Sequence, residues 1–337
     1  KTNKEKPQYN CEKLLYICVV KKTLIFLLLP FFVLSQSDDK ELFSVFYNVE
    51  NLFDTIDNPN TRDNEFLPKS EKKWDTYRYN YKLNQLDKVF SEIIKKKNEN
   101  RLPDIIGLCE VENKLVIDDL LKTETFKNHT YKIIHKQSPD GRGIDCALLV
   151  DEKFEVLNSD FIKINNPTES RATRDIVFGK LKFKNQIINV FVNHWPSRWG
   201  GQEASNHKRV FVAEVLRKYI DNNTLESDFN LIMGDFNDYP TNESLAEVLV
   251  KDDLVNLMSK SNVSGRGSYN YRGNWDWLDQ IIVSQDDFKL ISFGAFEEDF
   301  MMYTNKKGEV YPNRSFGGNN WYAGFSDHLP VFLRFTF

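Results

Sequence analysis

Cysteine is scarce, with four residues in a chain of 337. Cys11 and Cys18 lie in an N-terminal stretch unlike the rest, while Cys109 and Cys146 each sit within an apolar run. A disulfide framework is therefore excluded, and two buried thiols are expected instead. Glycine is also sparse, at 15 residues, and forms no clustered motif. Dinucleotide-binding and P-loop domains have no support, because both need glycines that let backbone amides approach phosphate. No repeat, low-complexity tract or Gly/Ser linker divides the chain. Positive charge is in deficit, with a net charge of −4. That excludes a generally basic nucleic-acid coat, so any anion-binding surface has to be a local patch.

The N-terminus carries the one long apolar run. Lys21 and Lys22 precede Leu24 to Leu34, broken only by Pro30 and closed by Ser35-Gln36-Ser37. A basic segment, an apolar segment and small residues at a cleavage position form the pattern of a secretory signal peptide. The run is short for a bilayer span, and a longer helix would bury Lys21 and Lys22. Residues 1–37 are thus expected to be removed near Ser37 from a secreted or periplasmic protein. What remains carries 39 basic and 47 acidic side chains, a net charge of −8. Residues 38–337, about 41% hydrophobic in the whole-chain composition, are expected to form a single catalytic domain.

Short apolar runs bounded by polar residues predict buried strands at Phe43 to Tyr47, Ile105 to Leu108, Cys146 to Val150 and Ile187 to Val192, then at Asn230 to Met233, Gln280 to Val283 and Val331 to Phe335. A helical period runs through Leu83, Leu86, Val89, Phe90, Ile93 and Ile94, and again through Val212, Val215, Leu216, Tyr219 and Ile220. Strands interleaved with amphipathic helices predict an α/β layered fold. Two long polar but aromatic-rich segments, Asp54 to Tyr81 and Glu297 to Phe325, match neither period and are expected to be functional loops.

The chemistry lies where the apolar strands stop. Phe43 to Tyr47 leads into Asn48-Val49-Glu50-Asn51, Asp104 to Cys109 into Glu110-Val111-Glu112-Asn113, Ile188 to Asn193 into His194-Trp195-Pro196, and Leu231 to Gly234 into Asp235-Phe236-Asn237-Asp238. Strand ends are where ligands bind in open α/β sheets. Leu278-Asp279-Gln280-Ile281 and Ser326-Asp327-His328-Leu329-Pro330 complete the set. A carboxylate among apolar neighbours, as at Asp279, needs a partner, and a histidine would serve. Each motif also has a bland reading: Asp235 and Asn237 as an Asx turn, His194-Trp195-Pro196 as a rigid packed turn, and the arginines as solvated surface.

Taken in order, these six motifs resemble the endonuclease/exonuclease/phosphatase superfamily, which includes pancreatic-type deoxyribonucleases, apurinic/apyrimidinic endonucleases, sphingomyelinases and inositol polyphosphate 5-phosphatases. The resemblance spans Phe43 to Phe335. It implies an α/β fold, a four-layered sandwich of two packed mixed β-sheets flanked by helices, with the site in a cleft at one end. It implies Glu110 as the chief ligand of Mg²⁺ or Mn²⁺, supported by Asn48 and Asp327, since oxygen donors suit these ions better than Zn²⁺. Asp235 would orient or deprotonate the attacking water, and Asn237 would hold it. His328, oriented by Asp279, would contact the scissile phosphate, while His194 would stabilise it or protonate the leaving group. Arg142, Arg171, Arg174, Arg198 and Arg209, next to predicted strand ends or opening a helix, are the candidates for phosphate clamps. The chain departs from some nucleases of the superfamily at Gly141-Arg142-Gly143-Ile144-Asp145, which leaves the partner of His194 open between Asp145 and Arg142. His129, His135 and His207 fall outside the motifs and are expected at the surface.

The substrate is read from the variable segments. Trp275-Asp276-Trp277-Leu278-Asp279-Gln280 resembles the nuclease side of the superfamily. Tyr303, Tyr311, Phe316, Trp321 and Tyr322, interleaved with Lys306, Lys307 and Arg314, suit base stacking beside a neutralised backbone. A nucleic-acid substrate is the expectation, with a phospholipid or inositol phosphate as the alternative and a catalytically dead binding module as the reading from another class. No stable protein partner is implied, and a monomer is expected.

Overall fold

The computed structural model describes residues 41–259, 266–285 and 288–337; the predicted signal peptide, residues 1–37, lies outside the described residues. β1 (Glu41–Leu52) leads through α1 (Thr76–Lys97) to β2 (Ile105–Val111), then to α2 (Lys114–Leu121), β3 (Tyr131–His135) and β4 (Asp145–Asp151). β5 (Glu155–Ile162), β6 (Ile176–Phe183) and β7 (Gln186–His194) form a meander, followed by α3 (Gln202–Asn223), β8 (Phe229–Asp235) and β9 (Leu254–Asn256). A hairpin of β10 (Tyr269–Tyr271) and β11 (Asn274–Asp276) precedes β12 (Asp279–Ser284) and β13 (Lys289–Ala295). Two further hairpins, β14 (Met302–Thr304) with β15 (Val310–Pro312) and β16 (Phe316–Gly317) with β17 (Asn320–Trp321), lead to β18 (Val331–Thr336).

One six-stranded sheet has the order β13-β18-β1-β2-β4-β3, and the other β5-β6-β7-β8-β12-β9. Within each, a single pair is parallel, β1 with β2 and β7 with β8. A parallel pair needs a crossover, and α1 and α3 supply the two. The helices are built for it: Asp75 caps α1 by accepting the Arg78 N–H, and Lys95, Lys96 and Lys97 complement the dipole at its other end.

Strand alternation decides which side chains meet. In β1, Phe43, Val45, Tyr47 and Val49 pack outward against α1, while Leu42 and Phe46 face the second sheet. In β8, Leu231 and Met233 face inward and Ile232 packs outward beneath α3. The result is helix, sheet, sheet, helix, the four-layered α/β sandwich expected. Two glycines admit the close sheet contact: a Cβ on Gly107 would lie 2.7 Å from Met233 Sδ, and one on Gly179 would lie 2.8 Å from Leu148 Cδ2. Cys109 and Cys146 pair in register across β2 and β4 as buried free thiols.

The seven predicted strands are all present. The two unassigned segments prove to be partly regular: Thr76 onward is already helix α1, and Glu297 to Phe325 holds two hairpins. β5 was unread in the sequence because it is an edge strand whose side chains are mostly exposed. Its place depends on backbone pairing with β6 rather than on an apolar period.

Candidate active site

Period-two alternation carries three strands to one point. Counting along the inward-facing residues of β7, β8 and β12 leads to His194, Asp235 and Asp279. Register then places His194 beside Asp235 across the parallel pair, and Asp279 beside Asp235 across the antiparallel one. From the opposite sheet Asn48, also on the inward face, spans the gap: its Nδ2 donates to Asp235 Oδ2 at 3.0 Å and to Glu110 Oε1 at 3.3 Å. His328 joins from the loop before β18, with Nδ1 2.7 Å from Asp279 Oδ2 and Nε2 3.8 Å from Asp235 Oδ2. Its backbone N–H donates to Ser326 Oγ, which donates in turn to the Asn48 carbonyl.

Glu110 is set by its backbone. Both ladders of β2 shift register around it, and its φ is 62°. This is the left-handed region, which costs a non-glycine residue about 1–2 kcal/mol. The bulge turns the carboxylate towards the cleft, where Oε2 accepts the Asn51 N–H at 3.0 Å and Oε1 lies 3.8 Å from His194 Nε2. Asn237 is likewise left-handed, at φ 50°, with its N–H on Asp235 Oδ1 and its Nδ2 on the Trp195 carbonyl.

The two histidines are held in opposite states. Burial pushes His194 well below the ordinary imidazole range, and the nearby Arg174 and Arg142 push the same way. It is therefore neutral, and its Nδ1 has no partner among the described residues. Burial opposes charge on His328 as well, but Asp279 and Asp235 outweigh it and hold that imidazole well above its ordinary value. Burial raises the Asp235 carboxyl to about 7, with His328 opposing and Asp279 adding to the shift.

A model of the Endonuclease/Exonuclease/phosphatase family matches residues 44–336. The chain belongs to that family. It is an endonuclease/exonuclease/phosphatase superfamily phosphoesterase, and the resemblance read in the motifs is borne out. By sequence, none of the curated proteins matches it. Among solved structures, a family member from Bacteroides thetaiotaomicron is similar at TM-score 0.57 and 18% identity, covering 88% of this chain and 98% of that one. A mannosyl-6-phosphatase from the same organism gives TM-score 0.57 at 17% identity over 88% and 100%. D. rerio TDP2 complexed with single strand DNA product gives 0.56 at 14% over 88% and 99%. Identities this low speak to the fold alone.

Of the residues expected in this superfamily's site, Asn48, Glu110, His194, Asp235, Asn237, Asp279 and His328 form one contiguous cluster. Asp327 lies at its margin, held by Arg314 Nη2 at 3.0 Å. Arg314 also reaches Glu50, at 3.2 Å, and the fully buried Lys82 lies 3.9 Å from the same Glu50. This support beneath the site was not read from the sequence, since Arg314 and Glu50, which join its two halves, lie 264 positions apart. Tyr269 was also missed; its ring lies 4.7 Å from that of His328.

Several expectations need correction. Arg209 is fully buried, bound to Asp238, Ser205 and Gln202, and Arg174 is buried with its donors on Asp140 and the His194 and Trp195 carbonyls. Neither can clamp a phosphate, because their donors are spent inside the protein. Arg198 braces the Asn237 loop through that residue's carbonyl and stacks 3.6 Å over Tyr239. Arg142 pairs with Asp140 yet stays half exposed, and Arg171 is exposed. Asp145 does not partner His194; it binds His135 at 2.9 Å, so His135 turns inward rather than lying at the surface. His129 is half-buried against Asp151, and His207 is exposed.

Two donor sets could hold a cation. Asp235, Asp279 and His328 bring ligand atoms within 4.8 Å of one another, but His328 and Asp279 already satisfy each other. Among the described residues Glu110 forms no ion pair with a lysine or arginine and faces the neutral His194 at 3.8 Å, and its carboxylate, with that of Asp327 held by Arg314, offers oxygen donors. This second set fits a hard divalent ion better. Asn48 Oδ1 accepts the Glu50 N–H while its Nδ2 faces the carboxylates, so in this arrangement Asn48 orients Glu110.

Two cavities adjoin the cluster. One of about 430 Å³ opens beyond His194, past Pro196 and Arg142. The other, of about 730 Å³, opens beyond Asp327 among Tyr269, Tyr303, Tyr311, Trp321 and Tyr322.

Proposed function

We propose that the chain is a secreted, Mg²⁺- or Mn²⁺-dependent nuclease that cleaves nucleic-acid phosphodiesters by in-line attack of water. One observation carries the reading: a carboxyl raised to about 7, Asp235, stands between a neutral and a charged histidine. A base whose pKa lies near the working pH is well matched to taking a proton from water. His328 as the imidazolium, its Nδ1 fixed by Asp279, presents Nε2–H to an equatorial phosphate oxygen as charge develops there. Neutral His194 contributes a hydrogen bond rather than a proton, which disfavours its assignment as the acid for the leaving group. Asn237 positions water beside Asp235. When bound, a divalent ion on Glu110 and Asp327 supplies positive charge to the attacked phosphate.

A nucleic-acid substrate is supported by the two adjoining cavities, one lined by Pro196 and Arg174 next to His194 and the other by Tyr269 and Asp327, which leave room for more of a chain than the scissile phosphate. It is supported too by the fold shared with TDP2, whose structure holds a single strand DNA product. The equal likeness to a mannosyl-6-phosphatase favours a second reading, a sugar phosphate monoesterase. The test is to incubate the chain lacking residues 1–37 with single-stranded DNA, plasmid DNA, RNA, mannose 6-phosphate, sphingomyelin and inositol phosphates, with Mg²⁺ and with chelator. Chelator-sensitive cleavage of a nucleic acid is expected. Nucleic acids left intact while mannose 6-phosphate is consumed would overturn the preferred substrate.

A further inference from the structure

The cavity beyond His194 carries a charge the catalytic cluster does not use. Arg62, Arg142, Arg171, Arg174 and Lys208 line it, against the carboxylates of Asp140 and Glu169 alone. The balance is +3 in a chain of net charge −4, so the patch runs against the protein as a whole. Arg142 and Arg174 share Asp140, and Lys208 pairs with Glu169. Arg62 and Arg171 pair with no carboxylate among the described residues and both are exposed. They come from distant segments, Arg62 meeting the Gly141 carbonyl across the rim. Unpaired planar guanidinium groups at the mouth of a concave site suit an anion that can accept two parallel hydrogen bonds, such as phosphate.

At the same rim Trp199 is 88% exposed. A single exposed aromatic needs no explanation, but this one lines a cationic cavity that begins two residues after His194. Beside arginines that hold a backbone, an open indole face is what a base stacks on. The cavity is fixed relative to the cluster, because Arg174 donates to the His194 and Trp195 carbonyls from its floor.

We infer that this cavity is a second phosphate subsite, where Arg62, Arg142 and Arg171 hold the phosphate neighbouring the scissile one and Trp199 stacks the adjoining base. The inference rests on the nuclease reading and narrows it: the substrate has at least two phosphates along a strand, and the strand extends from the cluster on the His194 side. The aromatic cavity beyond Asp327 then receives the other side of the cleaved bond.

The test uses a single-stranded tetranucleotide, its phosphorothioate analogue and a mononucleotide p-nitrophenyl ester, with the wild-type chain, an Arg62→Ala/Arg171→Ala variant and Trp199→Ala, all in Mg²⁺. All three positions are exposed, so the variants should fold, which circular dichroism checks. Binding of the phosphorothioate is followed by tryptophan fluorescence at several salt concentrations. Removing the arginines should weaken it about tenfold and flatten the slope of log K on log salt by about 0.7 for each phosphate no longer neutralised. Trp199→Ala should weaken binding and remove the quench without altering that slope. In hydrolysis, the preference for tetranucleotide over mononucleotide ester should collapse in the arginine variant. A preference and a salt slope unchanged there would overturn the subsite. Arginine-dependent binding of inositol hexakisphosphate, with tetranucleotide binding indifferent to the arginines, would assign the cavity to a small polyphosphate and overturn the strand. If no nucleotide is hydrolysed, the nuclease reading fails separately: arginine-dependent binding of the tetranucleotide would still support the subsite, and its absence would overturn both.

Discussion

Replacing Asp279 with Asn tests the central claim that His328 works as a cation. The two are in contact at 2.7 Å and both are buried. At an effective dielectric of about 20, unit charges at that separation attract by about 6 kcal/mol, enough to outweigh the burial that otherwise favours neutral imidazole. With Asp279 neutralised, Asp235, 3.8 Å away, and more weakly Asp327 still favour the charge. His328 should then lose its proton at a lower pH, and the variant should gain a descending limb in kcat between about pH 6 and 8. Losing one preorganised charged donor typically costs 10²–10³ in kcat, or about 3–4 kcal/mol, so that is the loss expected at pH 8, with a smaller loss at pH 6. Stability gives an independent readout. A histidine whose folded value is raised contributes stability that is complete below about 6.5 and disappears as pH rises through the folded value. The variant's deficit should therefore be largest in mild acid and shrink in alkali. The new amide also lacks an acceptor where Asp279 Oδ1 is now unpartnered, which adds about 1–3 kcal/mol at every pH. Only the pH-dependent part reports on the ion pair. The assays are kcat against pH on the preferred substrate and urea unfolding at pH 6 and 9. A loss of kcat equal at all pH values, together with a stability deficit that does not change with pH, would refute a cationic His328.

Glu112 should shift stability with pH in the same direction, but here neutralising the carboxylate stabilises the fold. Burial pushes its carboxyl from 4.5 up to about 8, so the unfolded chain gives up this proton first and the native state loses stability as pH rises between those values. Glu112→Gln should be about 3 kcal/mol more stable than wild type at pH 7 and nearly equal to it at pH 5, as thermal unfolding would reveal. Glu110→Gln should lower kcat at least 10²-fold and abolish its response to Mg²⁺, while unfolding and circular dichroism stay close to wild type. Arg209→Met leaves the buried Asp238 without its main cation and should cost about 3–5 kcal/mol of stability with KM little altered; a raised KM with unchanged stability would return Arg209 to the substrate.

Much of this protein is local enough to be legible in its sequence. Short apolar runs bounded by polar residues placed seven strands of the two large sheets, though not the buried β6, and their polar ends named Asn48, Glu110, His194, Asp235 and Asp279, because a buried strand and its termination are written in adjacent residues. Short edge elements such as β5 were not legible, since they bury little and rely on a neighbour's backbone. Tertiary structure alone decided what the named residues do. Register between distant strands put His194 and Asp279 on either side of Asp235, and burial among unlike charges then left one histidine neutral and the other charged. The arginines show the same division: identical in chemistry, Arg174 and Arg209 are consumed in the interior while Arg171 and Arg62 line the same open cavity. Burial and long-range pairing arise only when the whole chain has folded, so no local pattern could have separated them.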